Sequence, residues 1–167
     1  MIHPLKTKVD LHNQPTKGST PLNYALLYIS KATEPFSSDS LEQLAIDAQQ
    51  RNQASNLTGL LLYSGTHFIQ ILEGDYHELN NLFESISRDK RHHSIKVLMG
   101  APASERQFPD WSMGVIDISS NDRIDPHTLD LICAQAEGQP EATKIAALET
   151  LKHFQFDVIS NTGAVAA

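Results

Sequence analysis

The chain has 167 residues, which is room for one domain with a real core and short extensions. Its net charge of -7 at pH 7 argues against a nucleic-acid-binding surface. The single cysteine excludes a disulfide within the chain and favours a reducing, cytoplasmic location. No apolar run approaches the roughly 18 residues that a membrane crossing needs, and no signal-peptide-like stretch opens the chain.

The distribution of Pro, Gly and polar residues divides the chain into four parts. We expect residues 1–22 to form a flexible N-terminal arm because prolines and a glycine stand among polar residues there. A short ordered strand is the alternative. Residues 23–120 carry strong periodic patterns and predict one compact domain. Residues 121–157 predict a helical extension, and residues 158–167 predict a disordered tail.

The first patterned elements are a strand and a helix. Residues 24–30 (YALLYIS) are rich in strand-forming residues and alternate between two faces. A capping box at residues 40–43 (SLEQ) then predicts a helix start, and apolar residues follow at helical spacing. We expect this helix to end around Arg51 and Asn52.

A hairpin and a second helix come next. Residues 57–63 and 67–74 are two apolar runs joined by a Ser-Gly turn, which is typical of a β-hairpin. The second helix is predicted to open near Asp75. It ends at the basic cluster of residues 90–93, whose charge suits the negative end of a helix dipole.

The remaining elements complete an α+β fold. Residues 94–102 and 111–119 predict two more strands, and residues 126–137 and 140–156 predict helices. The order βαββαββ predicts a ferredoxin-like sandwich with two helices on one face of a mostly antiparallel sheet. We expect the C-terminal helices to dock on the other face, because an uncovered apolar sheet face promotes aggregation.

Gln70 is the most informative polar residue of the predicted core. It stands in HFIQIL, where both alternating faces are apolar, so its strand is expected to be central and buried. A buried amide without partners costs roughly 1–3 kcal/mol. Gln70 should therefore meet a polar partner inside the protein, and a hydrogen bond to backbone or water is the alternative to a functional contact.

Four further residues raise the same choice between structure and function. The hydroxyl of Tyr28 needs a partner if it is buried mid-strand, unless it reaches the surface. Asn52 suits a helix C-cap. Trp111 and Met113 are expected on one face of the last strand, where plain core packing would explain them. Together these side chains fit a planar ligand with alternating donors and acceptors along one edge, such as a flavin, although spacing alone does not select flavin among planar ligands.

The sequence resembles the BLUF family, the sensors of blue light using FAD. The resemblance runs from about Tyr24 to Ser119 and covers every core element. Matching segments stand in the family's order and spacing as LLYIS, QQRNQASNLTGLLLYS, FIQILEG, ISRDKRHHS and RQFPDWSMG. Several separate segments in register carry far more weight than one short motif. The resemblance makes residues 23–120 the flavin-binding domain, with FAD between the first two helices.

The resemblance implies a role for each residue of a light-driven site. Tyr28 matches the electron donor to the photoexcited flavin, and Gln70 matches the glutamine whose hydrogen bonds change after illumination. Asn52 matches the asparagine that binds the flavin edge. Ser30 matches a serine that supports this network. The last-strand pair that responds to the glutamine is Trp111 and Met113.

Positions near the flavin and its side chain are also implied by the resemblance. Asp89, Arg91 and His92 fall on such positions at the end of the second helix. Arg51 falls on a flavin-proximal position that varies within the family. The residues themselves do not distinguish FAD from FMN.

The implied function is a blue-light photoreceptor that is not an enzyme. No dinucleotide-binding, nucleophile-elbow or zinc-protease motif is present, and adjacent His92 and His93 are poorly spaced for one metal ion. The expected output is self-association as a dimer or larger homo-oligomer, or contact with a separate signalling protein. A ferredoxin-like flavin- or small-ligand-binding module without a photocycle is the alternative.

Overall fold

The computed structural model describes residues 23–119, 127–136 and 138–160. The strands are β1 (Asn23–Ala32), β2 (Thr58–Tyr63), β3 (His67–Gly74), β4 (His92–Ala103) and β5 (Gly114–Asp117). The helices are α1 (Ser38–Ala54), α2 (Tyr76–Ser87), α3 (His127–Gln135) and α4 (Pro140–Ser160). The predicted arm at residues 1–22 and the end of the predicted tail, residues 161–167, lie outside the described residues.

The five strands form one sheet in the order β4-β1-β3-β2-β5. The first four strands pair antiparallel in the arrangement 4-1-3-2, and β5 joins the edge beside β2 in parallel. This topology confirms the predicted α+β, ferredoxin-like βαββαββ plan. It also makes β3 a central strand, paired on both sides.

The alternation along β3 separates the two faces of the sheet. Phe68 and Leu72 belong to the apolar cluster that includes α1 and α2 residues. Ile69 and Ile71 belong to the opposite cluster, which includes residues of α3 and α4. The C-terminal helices therefore cover the face that the first two helices leave bare, as expected. Gln70 lies on the α1/α2 side, because successive side chains of a strand point to opposite faces.

The ends of α1 differ from the sequence prediction. Its N-cap is Ser37, whose side chain accepts a hydrogen bond from the Ser40 backbone N–H, so the predicted capping box at residues 40–43 is wrong. The serine run offers several capping side chains, and the first of them is used. At the other end α1 continues to Ala54 with Ser55 as C-cap, so Asn52 is inside the helix and is not a cap. Asp75 caps α2, as predicted.

The last strand is shorter than predicted, and this changes the position of Trp111. The strand β5 starts only at Gly114, and the chain bends at Ser112. Met113 packs in the cluster beneath α1 and α2, whereas Trp111 packs against the opposite cluster. The expectation that both residues share one face is therefore wrong, because side chains two residues apart share a face only in an extended strand.

Two polar contacts tie α3 and the residue that follows it to the sheet. Asp130 of α3 lies 2.7 Å from Nδ1 of His67 at the start of β3, and Lys96 of β4 donates a hydrogen bond to the backbone carbonyl of Ala136. Within α4, Leu151 and Phe154 are buried, while Ile145 is exposed. The face of α4 that carries Leu151 and Phe154 therefore packs on the sheet. No helix in the described part of the chain combines the length and apolarity that a bilayer crossing requires.

Candidate functional site

A cleft opens between α1, the end of α2 and the sheet. It encloses about 600 Å³, counting its open mouth. Its lining combines an apolar slot with charged groups at one end, which is the composition expected of a small-molecule site. The lining residues are Tyr28, Ser30, Phe36, Leu44, Ala48, Arg51, Leu61, Phe68, Gln70, Ser85, Ile86, Asp89, Arg91 and His92.

Three side chains in contact with one another lie in a row along the face of the sheet beneath this cleft. Tyr28 and Gln70 are direct cross-strand partners of β1 and β3, and the Tyr28 hydroxyl donates a hydrogen bond to Oε1 of Gln70. The Gln70 Nε2 atom in turn lies 3.5 Å from Sδ of Met113. Gln70 is 5% exposed and Met113 2% exposed. The amide therefore links the phenol to the segment that leads into β5.

The electrostatic environment keeps Tyr28 a neutral phenol. Burial raises the pKa of Tyr28 well above its usual value, and the nearby Arg51 lowers it by less than burial raises it. The ring packs edge-to-face on Phe83 with centroids 5.4 Å apart. A tyrosine held in this way carries its proton throughout the physiological pH range and can donate it only to Gln70 or to a ligand in the cleft.

The side-chain oxygen of Asn52 is a buried hydrogen-bond acceptor to which no described residue donates. Asn52 comes from the same helix as Ala48 and Arg51, which line the cleft. Its Nδ2 atom donates to the Ser112 carbonyl at 2.7 Å, which fixes the orientation of the amide. Within the described parts of the chain, its Oδ1 atom is buried and accepts no hydrogen bond. An orphaned buried oxygen costs about 1–3 kcal/mol, and an N–H on the edge of a flavin ring would satisfy it.

His92 joins three elements at the far side of the cleft. Its Nε2 atom lies 2.8 Å from the Ile86 carbonyl and its Nδ1 atom lies 2.9 Å from Oγ of Ser30. A carbonyl only accepts, so Nε2 carries a proton and donates it there. In the neutral ring, Nδ1 then accepts from the Ser30 hydroxyl. Ser30 is consequently held by its neighbours in one orientation.

An ion pair flanks the mouth of the cleft. The Arg91 guanidinium contacts the Asp89 carboxylate with Nη2 2.6 Å from Oδ2. This side-chain hydrogen bond is the main cause that lowers the pKa of Asp89. Asp89 neutralises Arg91, whereas Arg51, the other arginine of the lining, forms no ion pair within the described residues. Arg51 and the fork of Arg91 both suit a phosphate or carbonyl group.

The structure brings most of the sequence-predicted site residues together. Those that line the cleft are Tyr28, Ser30, Arg51, Gln70, Asp89, Arg91 and His92. Asn52 does not line the cleft but comes from the same helix as Ala48 and Arg51, and Met113 contacts Gln70. Trp111 is separated from them by the sheet.

Sequence reasoning missed residues that shape or support the site. Leu44 and Ala48 were not singled out from the sequence as site residues, yet they form the apolar wall of the cleft. Gln49 donates to the Met113 carbonyl at 3.0 Å, and Glu73 accepts hydrogen bonds from the loop before β5. The spacing along α1 could have placed Leu44 and Ala48 on one face. No local signal marks the partners of Gln49 and Glu73, because both partners come from a distant loop.

Replacing Asn52 tests its place in ligand binding. Asn52→Ala removes the orphaned acceptor and the bond to Ser112, and we expect flavin affinity to fall by about tenfold, the equivalent of about 1.4 kcal/mol. Fluorescence titration of the apoprotein with FAD measures this change. Gln53→Ala is the control, because Gln53 reaches only the Ser112 hydroxyl, at 3.4 Å. Equal affinities in both variants would reduce Asn52 to a structural residue.

Comparison with known proteins agrees with this geometry. The sequence pattern of the BLUF family, described as sensors of blue light using FAD, matches residues 24–114. The chain is 32% identical over 100 residues to the Escherichia coli blue light- and temperature-regulated antirepressor BluF, covering 60% of this chain and 25% of that protein. It is 38% identical over 98 residues to the alpha subunit of the Euglena gracilis photoactivated adenylate cyclase, covering 58% of this chain and 10% of that protein.

A solved structure covers more of the chain than the family pattern does. The dark state of BlrB, a BLUF protein, superposes with a TM-score of 0.62 at 29% identity and covers 75% of this chain and 93% of that chain. By contrast, the chain spans only a tenth and a quarter of the two curated relatives, so their cyclase and antirepressor activities belong to those proteins. The match over residues 24–114 takes in more than half of the 167 residues. The chain therefore belongs to the BLUF family, the sensors of blue light using FAD.

Proposed function

We propose that this chain senses blue light through FAD held in the cleft between α1 and α2, and that Tyr28 and Gln70 are its photoactive residues. The observation that carries the proposal is the buried hydrogen bond from Tyr28 to Gln70 and the onward contact to Met113. Two apolar side chains on the floor of this cleft would avoid the cost of burying a phenol and an amide, so the polar pair points to a function.

The residues around the cleft supply binding and orientation. The free Oδ1 of Asn52 accepts from the flavin edge, while Leu44 and Ala48 form the apolar wall that the flat ring needs. Arg51 and Arg91 offer donors for the carbonyls and the phosphates. His92 and Ser30 are fixed by each other and keep that side of the site rigid.

The chemistry of the photocycle is divided between cofactor and protein. The flavin supplies blue-light absorption and, once excited, a strong electron acceptor. Tyr28 is the donor, because it is the tyrosine that lines the cleft and its hydroxyl already donates a hydrogen bond to Gln70. With FAD bound, the electron and the proton that leave Tyr28 would return to it, so no net reaction would remain and the lasting change would be a new arrangement of the hydrogen bonds of Gln70.

The Gln70 amide can store that change because its two ends are chemically different. In the present arrangement Oε1 accepts from Tyr28 and Nε2 faces Met113. Rotation of the amide by half a turn would present Nε2 to the phenol and an acceptor to Met113. The Tyr28 hydroxyl would then have to accept, and Met113 would lose its N–H contact. Light thus biases the position of the segment that carries Met113.

The output is protein contact in this proposal, and the chain performs no catalysis of its own. Membership of a sensor family supports this, as does the covering of the sheet by α3 and α4, which occupy the face opposite the cleft. We propose that these helices present the signal to a second copy of the chain or to a separate protein in the cytoplasm. We propose that Trp111 relays the change to these helices, and its packing on the same side of the sheet as α3 and α4 supports this role.

The absorbance spectrum before and just after blue light tests the proposal. We expect a yellow protein whose flavin bands move reversibly to the red by a small amount. A yellow protein with no reversible shift would leave the cofactor site but remove the photocycle. A protein that stays colourless after incubation with FAD would favour a binding module that does not use light.

A further inference from the structure

Residues 104–113 connect β4 to β5 and are called the crossing segment below. This segment is held at two separate places. Near its end, Gln49 and Asn52 of α1 donate to the carbonyls of Met113 and Ser112. Earlier in the segment, the backbone N–H groups of Gln107 and Phe108 donate to the Glu73 carboxylate. The first anchor, made by Gln49 and Asn52, is on the α1/α2 side of the sheet. The second anchor, Glu73, belongs to β3, the strand that also carries Gln70.

Glu73 is an unusual residue for this position. It is 1% exposed at the end of β3, and each of its oxygens accepts one backbone N–H, at 2.8 Å from Gln107 and 2.9 Å from Phe108. Burial raises the pKa of its carboxyl against the lowering effect of those two bonds and of Arg106. A carboxylate at such a site is costly to keep buried, so an apolar side chain would replace it unless the loop needed the two acceptors.

The two anchors lie on opposite faces of the sheet. Phe108 packs in the cluster on the α3/α4 side, and Met113 packs in the cluster on the α1/α2 side. The chain therefore crosses from one face to the other between residues 108 and 113. Gln70 and Glu73 are three residues apart on one doubly paired strand, so they form a rigid frame for the two ends of this crossing.

We propose that Glu73 is a positioning residue of the photocycle, which holds the crossing segment so that Met113 stays against the Gln70 amide. This inference rests on the proposed function of Gln70 and Met113. With the Glu73 anchor intact, Met113 has little freedom, and the amide must rotate against a fixed neighbour. Without the anchor, residues 104–108 also move, Met113 yields more easily, and the amide returns to its dark arrangement sooner.

Three variants test this role. Glu73→Ala removes both acceptors, and Glu73→Gln keeps one oxygen acceptor. Asp75→Ala is a matched control, because Asp75 also accepts two backbone N–H groups, from His77 at 2.8 Å and from Glu78 at 3.1 Å, but it holds α2 instead of the crossing segment. All three are expected to retain the red shift. Dark recovery should be about tenfold faster in Glu73→Ala, intermediate in Glu73→Gln and unchanged in Asp75→Ala.

A second measurement follows the segment directly. Trp111 is the one tryptophan of the chain and lies in the crossing segment, so acrylamide quenching of its fluorescence reports how tightly that segment is held. We expect greater quenching in Glu73→Ala than in Asp75→Ala, with or without flavin.

Wild-type recovery together with wild-type quenching in Glu73→Ala would overturn the positioning role while the photoreceptor function stood. If Glu73→Ala does not fold, the dark-recovery rate and the acrylamide quenching of Glu73→Gln are compared with those of Asp75→Ala. Equal values in these two variants would overturn the positioning role. Absence of a red shift in the wild-type protein would instead remove the proposed function, and quenching alone would then decide whether Glu73 holds the segment.

Discussion

Tyr28→Phe should bind FAD as tightly as the wild-type protein and show no light-induced red shift. Phenylalanine keeps the aromatic contact with Phe83, whose centroid lies 5.4 Å away, so the floor of the cleft keeps its shape. The substitution removes the hydroxyl that donates to Gln70, and with it the electron and proton source for the excited cofactor. Difference absorbance spectra after a blue-light pulse measure the loss, which we expect to be complete.

Tyr63→Phe is the matched control for that experiment. Tyr63 is another buried tyrosine of the same apolar cluster, and its hydroxyl accepts from the Phe36 N–H and donates to the Gly65 carbonyl. Each substitution should lower the free energy of unfolding by about 1 kcal/mol through lost hydrogen bonding. Tyr63→Phe should nevertheless keep the red shift, because the Tyr63 hydroxyl bonds to Phe36 and Gly65 and not to Gln70. A normal shift in Tyr28→Phe would contradict the assigned donor.

Gln70→Leu is expected to have an effect of the same size through a different cause. Leucine has a similar bulk, so flavin should remain bound, but it neither accepts from Tyr28 nor reaches Met113 with an N–H group. The phenol is then buried without an acceptor, which costs about 1–3 kcal/mol of folding stability. The red shift should be absent from the difference spectrum, and urea unfolding should show the loss of stability.

Gln49→Leu is the control for Gln70→Leu, because it also removes a side-chain amide that contacts Met113. Gln49→Leu deletes the donor to the Met113 carbonyl but leaves the contact between Tyr28 and Gln70. We expect this variant to retain the shift. If Gln70→Leu kept a shift of wild-type size, the stored change would have to lie in another hydrogen bond of the site, and the role given to the amide would be withdrawn.

Much of the central site could be predicted from local sequence. Gln70 stands in a run that is apolar on both faces, which indicates a central strand, and period-two alternation then places it with Phe68 and Leu72. The pairing of Tyr28 with Gln70 required more than alternation. It depends on the register between β1 and β3, which the turn and the complete sheet determine together.

The residues around Met113 show where local patterns fail. The run of residues 111–119 has the composition of a strand, yet the chain is extended as a strand only from Gly114. A Cβ atom on Gly114 would lie 2.2 Å from the Trp111 ring, so the glycine is what allows that ring to fold back over the strand start. Glu73 follows an apolar run, and a charge in that place is typical of an exposed strand end. Its burial arises from a loop that comes more than thirty residues later in the chain.

The double pairing of β3 restricts how a light signal can leave the cleft. A slide of β3 by one residue would carry Gln70 to the opposite face and break the ladders with both β1 and β2. The β3 backbone beneath the cleft therefore stays in place. The parts that can respond are side chains and the segment that carries Met113. A switch of this kind resets through rotamer changes and a shift of the segment that carries Met113, so many cycles of light and dark can pass without the paired strands having to refold.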